Sequence, residues 1–200
     1  MKHNKLISVL NSFISEVSKA QRLIYTIKIP KKDFESIVEL SYLKAYLAWE
    51  RFLEETFILS LLGYSPSQKN KIIRYVTPKN RKHAIEFLLQ GKDYIDWSTP
   101  EEIRARANLF LKNGKPFDKP ISSINHQLKN MKTIRNAITH ASSMSREKFK
   151  SLVRGKISYF PSSLTIGGFL YSRVPNTKPP ESFFDYYFNS IINVAMKIIK

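Results

Sequence analysis

The stretch Lys129-Asn130-Met131-Lys132-Thr133-Ile134-Arg135-Asn136-Ala137-Ile138-Thr139-His140 holds three side chains whose chemistries belong together. A histidine titrates near neutral pH, so His140 suits proton transfer to or from the 2′-hydroxyl or the leaving 5′-oxygen of an RNA phosphodiester. Arg135 offers a fixed fork of donors that can hold the phosphate and stabilise charge in the transition state. Asn136 suits the positioning of either partner. Lys129 and Lys132, one or two turns earlier, are the best placed for RNA-backbone contacts. Cleavage by the neighbouring 2′-hydroxyl needs neither a metal ion nor a cofactor. The plain alternative makes Arg135 a surface cation and His140 a residue that favours the negative end of a helix.

Other chemistries lack their residues. With no cysteine, disulfide frameworks, thiol catalysis and zinc-finger sites are excluded. Gly167-Gly168 is not followed by Lys-Ser/Thr, so no phosphate-cradling loop exists. Neither an Asp-x-Asp nor a His-x-x-x-His pair marks a metal site. The histidines are His3, His83, His126 and His140, and the last two are about 21 Å apart along a helix, too far to share an ion. Nothing resembles a nucleophile elbow.

The charge suits a polyanionic partner. Thirty-three Lys and Arg stand against 16 Asp and Glu, a formal charge of +17, which points most simply to nucleic acid. AT-rich coding also enriches lysine, so the total supports this reading without proving it. Its distribution says more. Residues 111–160 carry eleven Lys or Arg against Asp118 and Glu147 only, and residues 63–83 add Lys69, Lys71, Arg74, Lys79, Arg81 and Lys82 with no acid. The candidate trio therefore lies in the most basic part of the chain.

These residues must be held by helices. At 200 residues and 42% hydrophobic, the chain has the length of one domain and the material for a core. Apolar spacings of three and four predict helices over 6–27, 33–62, 79–90, 99–112, from Ser122/Ser123 onward through Ile138, over 145–154 and over 181–199. Gly63, Gly91, Gly114 and Gly155 mark helix ends. The second helix, about 45 Å long, carries Tyr42, Tyr46, Trp49, Leu53, Phe57 and Leu61 on one stripe, which belongs in the middle of a bundle. Residues 156–180 read as an irregular insertion: Pro161, Gly167, Gly168, Pro175, Pro179 and Pro180 exclude a helix, while 164–166 and 169–171 flank Gly-Gly as a small hairpin would. The fold class expected is all-α. The N-terminal apolar run is broken by Asn11, Ser12 and Glu16, and no segment reaches the ~18 apolar residues of a spanning helix. A cytoplasmic protein without a membrane partner is expected.

Arg135-Asn136-Ala137-Ile138-Thr139-His140 resembles the signature of the HEPN superfamily (higher eukaryotes and prokaryotes nucleotide-binding): Arg, usually then Asn, and His four to six residues beyond Arg. The stretch from Ala45-Tyr46-Leu47-Ala48-Trp49-Glu50 to Arg51-Phe52-Leu53-Glu54-Glu55 is similar to the long helix of the branch with RiboL-PSP-type members. The resemblance spans residues 33–141; the insertion 156–180 and the short helices between 79 and 112 have no counterpart in it. It implies a four- or five-helix bundle that pairs about a two-fold axis and joins two motifs into one composite, metal-independent ribonuclease site. It further implies His140 as acid/base, Arg135 as phosphate clamp and Asn136 as positioning residue. The family's company implies a toxin or anti-phage defence effector, restrained by an antitoxin or nucleotidyltransferase partner. In some members a polar residue of the long helix approaches the motif, which here singles out Glu50, with Glu54 one turn on.

Helix geometry favours pairing on its own account. Five residues turn a helix by about 500°, so Arg135 and His140 point some 140° apart, and a symmetric partner could supply the missing group. The rival reading is a binding module that keeps the bundle and the basic face but recruits RNA, a nucleotide or a nucleotidyltransferase. A DNA-binding regulator is weaker, since no helix–turn–helix spacing supports it.

Overall fold

The computed structural model describes residues 2–65, 71–140 and 142–199, with side chains from residue 4 onward. Lys69 and the side chain of His3 lie outside that set. Its regular elements are helices: α1 (Lys2–Thr26), α2 (Lys31–Leu61), α3 (Arg81–Leu89), α4 (Pro100–Phe110), α5 (Asp118–Ser123), α6 (Asn125–Thr139), α7 (Ser143–Ile157), α8 (Ile166–Tyr171) and α9 (Phe183–Ile199), with a 3-10 turn at Lys112–Gly114. The chain is all-α. None of the described helices is long and apolar enough to cross a membrane.

Helix α2 is the axis of the structure and packs against α1, α3, α6, α8 and α9. Pro30 precedes its first residue with φ −54°, where the missing N–H costs nothing. It ends as Gly63 enters the left-handed region at φ +87°. There the Gly63 N–H donates to the Ser60 carbonyl and the Tyr64 N–H to that of Leu59, satisfying carbonyls that the helix leaves open. Between these ends the whole aromatic stripe is buried. Tyr42 meets Phe188 of α9 at 5.3 Å, and Phe57 stacks on Phe117 at 3.8 Å. The Tyr42 hydroxyl donates to the Met131 carbonyl at 3.0 Å, tying α6 to the axis. Leu128, Met131, Ile134 and Ala137 form the buried face of α6, so Arg135 and Asn136 are held at its edge by packing rather than by loops.

Three expectations need correction. Gly155 does not end a helix: α7 continues to Ile157 and stops at Ser158, itself left-handed at φ 68°. The helix expected from Ser122/Ser123 is instead divided at Ile124, with α5 before it and α6 after. No hairpin forms at Gly167-Gly168, which lie inside α8. The reason is tertiary. The Gly168 N–H donates to the Thr165 hydroxyl at 2.9 Å, the Gly167 N–H to the Glu39 carboxylate at 2.9 Å, and the Thr165 hydroxyl to Glu35 at 2.9 Å. Two acids of α2 thus cap α8, and the glycines permit contact that side chains would block. Burial, partly offset by the Gly167 N–H, and the neighbouring Glu35 charge raise the Glu39 pKa. Outside the end of α7 and α8, 156–180 is irregular, and an isolated bridge between Arg173 and Ser182 closes the loop into α9.

A β-carbon on Gly167 would stand 2.1 Å from the Glu35 carbonyl oxygen, which cannot move aside because it belongs to α2. Gly167→Ala is therefore expected to lift α8 and to cost about 1–3 kcal/mol. At this chain length that lowers Tm by roughly 2–4 °C per kcal/mol. An unchanged thermal melt would contradict the docking described.

Candidate active site

Helix α6 carries Asn136 in its last turn with Arg135 just before it, and ends at Thr139, leaving His140 as the first residue beyond. The His140 backbone is extended at φ −123°, ψ 109°, while its N–H still donates to the Asn136 carbonyl at 2.9 Å. The next helix begins at once. Ser142 caps α7 by accepting from the Ser145 N–H at 3.2 Å, and the Ser145 hydroxyl donates back to the His140 carbonyl. The corner between α6 and α7 is thus fixed through backbone atoms, and the imidazole is left exposed.

Arg135 and Asn136 form a pair. The guanidinium Nη1 donates to the Asn136 Oδ1 at 3.0 Å, with both side chains half-buried. Around them lie two adjoining grooves. One, of about 400 Å³, is lined by Lys129, Lys132, Asn136, His140, Met144 and Lys148, among others. The other, of about 460 Å³, holds Arg135 and Lys132 with Glu50, Glu54, Tyr94, Asp96 and Trp97. The chain therefore joins Arg135 to Asn136 through side chains and Asn136 to His140 through the backbone, but it opens Arg135 and His140 into different grooves. His126 is exposed on α6 and lines neither groove.

The two lysines singled out from sequence both face acids. Lys129 pairs with Glu101 of α4 at 2.6 Å, and Lys132 stands 3.7 Å from Asp96. The hydrogen bond from Lys129 holds the Glu101 pKa below its ordinary value. Burial raises that of Asp96, but the Ser98 hydroxyl and N–H, together with Lys132 and Arg106, outweigh it and hold the carboxyl low. The Asp96 segment is itself anchored: Arg106 donates to the Asp96 carbonyl at 3.1 Å and lies over the Trp97 ring at 4.8 Å. Glu50 is half-buried, and burial raises its pKa against the opposing charges of Arg135 and Lys132, with Asp96 adding to the rise.

Spacing on one helix could not find Lys148 or Met144, which enter the groove of His140 from α7. Among the described residues, Lys148 makes no ion pair, so it offers an unneutralised charge that Lys129 and Lys132 do not. The only sequence signal for it is its place in the basic stretch 111–160. Among the described residues no three His, Asp or Glu side chains stand close enough together to hold an ion. Comparison of the chain with models of protein families, with curated proteins and with solved structures finds no match.

Proposed function

We propose that this protein is a HEPN-type endoribonuclease, active as a homodimer without a metal ion. The 2′-oxygen attacks the adjacent phosphorus as its proton leaves. The new 2′-O–P bond forms, the P–O5′ bond breaks, and the departing 5′-oxygen takes a proton. The products are a 2′,3′-cyclic phosphate and a 5′-hydroxyl. His140 moves the proton, Arg135 holds the phosphate as its charge grows, and Asn136 orients Arg135. Lys129, Lys132 and Lys148 border the path of the RNA backbone.

The observation that carries this reading is the Arg135–Asn136 hydrogen bond beside an exposed His140. It supports the reading because the Arg and Asn of the signature are already joined and the His is left open to a phosphodiester. The chain's formal charge of +17 agrees with an RNA substrate. A role as a toxin or anti-phage effector, restrained by an antitoxin or a nucleotidyltransferase partner, belongs to the same proposal.

The rival is a module that binds RNA without cutting it, favoured by the separation of Arg135 from His140 within one protomer. One experiment divides the two: incubate total cellular RNA with the protein in excess chelator and map the ends. Cleavage with 2′,3′-cyclic phosphate termini is expected. Retention of intact RNA would favour the binding module.

A further inference from the structure

The groove on the Arg135 side of α6 has chemistry that phosphate binding leaves unused. Its wall includes Glu50, whose carboxylate is half-buried yet makes no hydrogen bond and no ion pair among the described residues. Asp96 nearby is different, because it already accepts from the Ser98 N–H at 2.7 Å and from its hydroxyl at 2.6 Å. Trp97, 4% exposed, lines the same groove with its indole N–H buried and without an acceptor. At the rim Tyr94 is 74% exposed. The groove thus combines an open carboxylate, an accessible ring and the cations Lys132 and Arg135.

A half-buried carboxylate without donors is unfavourable. A phosphate cannot relieve it, since that anion brings only more negative charge. A nucleobase can, and the bases differ in how well. Guanine presents N1–H and an N2 amino hydrogen side by side, one for each carboxylate oxygen, with O6 beside them as an acceptor for a neighbouring donor. Adenine and cytosine present one amino group on that edge, next to a ring acceptor. Uracil places its single N–H between two carbonyls that a carboxylate repels. Unstacked RNA bases are commonly read on this edge while they stack on an aromatic ring. The groove also shares Lys132 with that of His140, and the Arg135–Asn136 pair joins the two.

We infer that this groove reads a guanine adjoining the scissile phosphate, with Glu50 accepting from N1–H and N2–H and Tyr94 stacking on the ring. The inference rests on the ribonuclease reading above, and its test separates the two.

A random-sequence RNA pool is cut by wild type, Glu50→Gln and Tyr94→Ala in chelator, and the ends are sequenced. Wild-type ends are expected to be enriched in guanine at one fixed position beside the cut. Glu50→Gln, which puts an amide N–H where an acceptor is needed, is expected to reduce that enrichment about tenfold or more. Tyr94→Ala should weaken it as well, and a ring this exposed can be removed without unfolding the protein. Cutting without guanine enrichment, or with the same enrichment in Glu50→Gln, overturns the inference and leaves the ribonuclease standing. If wild type does not cut, the ribonuclease reading falls, and short RNAs with and without guanine then decide by binding. A guanine preference lost in Glu50→Gln upholds the base-reading groove, whereas equal affinities, or no binding, overturn it.

Discussion

His140→Ala is expected to lower RNA cleavage about 10²- to 10⁴-fold, the range typical of losing a general acid or base, while leaving the fold intact. The structure gives a reason to expect both halves. What His140 contributes to the corner between α6 and α7 comes from its backbone: the N–H donates to Asn136 and the carbonyl accepts from Ser145. Alanine keeps both groups. The imidazole is exposed and makes no hydrogen bond among the described residues that alanine would lose. If His140 served only the helix end, its removal would cost at most about 0.3–1 kcal/mol of stability and nothing in cleavage. Parallel rate and thermal-melt measurements on wild type and variant separate the two roles. Wild-type cleavage by His140→Ala would falsify the assignment, and growth inhibition by the wild type alone in an expressing host would support it.

How much was legible in the sequence depended on the range of the forces involved. The aromatic stripe from Tyr42 to Leu61 declared a central helix because burial acts on every third or fourth residue of one segment. Its end at Gly63 was equally local. The hairpin expected at Gly167-Gly168 failed because the deciding partners, Glu35 and Glu39, lie about 130 residues away. Nothing near two consecutive glycines tells a turn from a helix pressed against a neighbour. The division at Ile124 was similarly hidden, since that residue is buried in either arrangement.

The candidate site shows the same limit. The 140° expected between Arg135 and His140 assumed a helix running through both; α6 ends at Thr139 with His140 extended, and the two residues line different grooves. The neutralisation of Lys129 by Glu101 and of Lys132 by Asp96 needed the placement of α4 and of the 94–98 segment. Counting charge along the chain did not show that those two lysines face acids, and it gave Lys148 no prominence. The groove that sets Glu50 beside Tyr94, Asp96 and Trp97 likewise required the 94–98 segment.

Mixing two inactive proteins should restore activity if the site is shared between protomers. In a symmetric dimer, suppose each site takes Arg135 from one chain and His140 from the other. A dimer of one Arg135→Ala chain and one His140→Ala chain then has one site lacking both groups and one lacking neither. Random pairing makes half of the dimers mixed, so about a quarter of wild-type activity is expected from the unfractionated pair and about half from mixed dimers selected through both tags, against the ~10²-fold or greater loss in each variant alone. If Arg135 and His140 instead served one site within a single chain, every site in the mixture would lack one group and activity would stay at the level of the separate variants. Folding of the arginine variant needs no separate control when activity returns, because the restored site uses the His140 of that chain. Co-expression of the two variants with different tags, purification through both tags and a cleavage assay measure the outcome. Recovery would establish that two copies build the site, and it would explain why one copy divides its clamp and its proton carrier between two grooves.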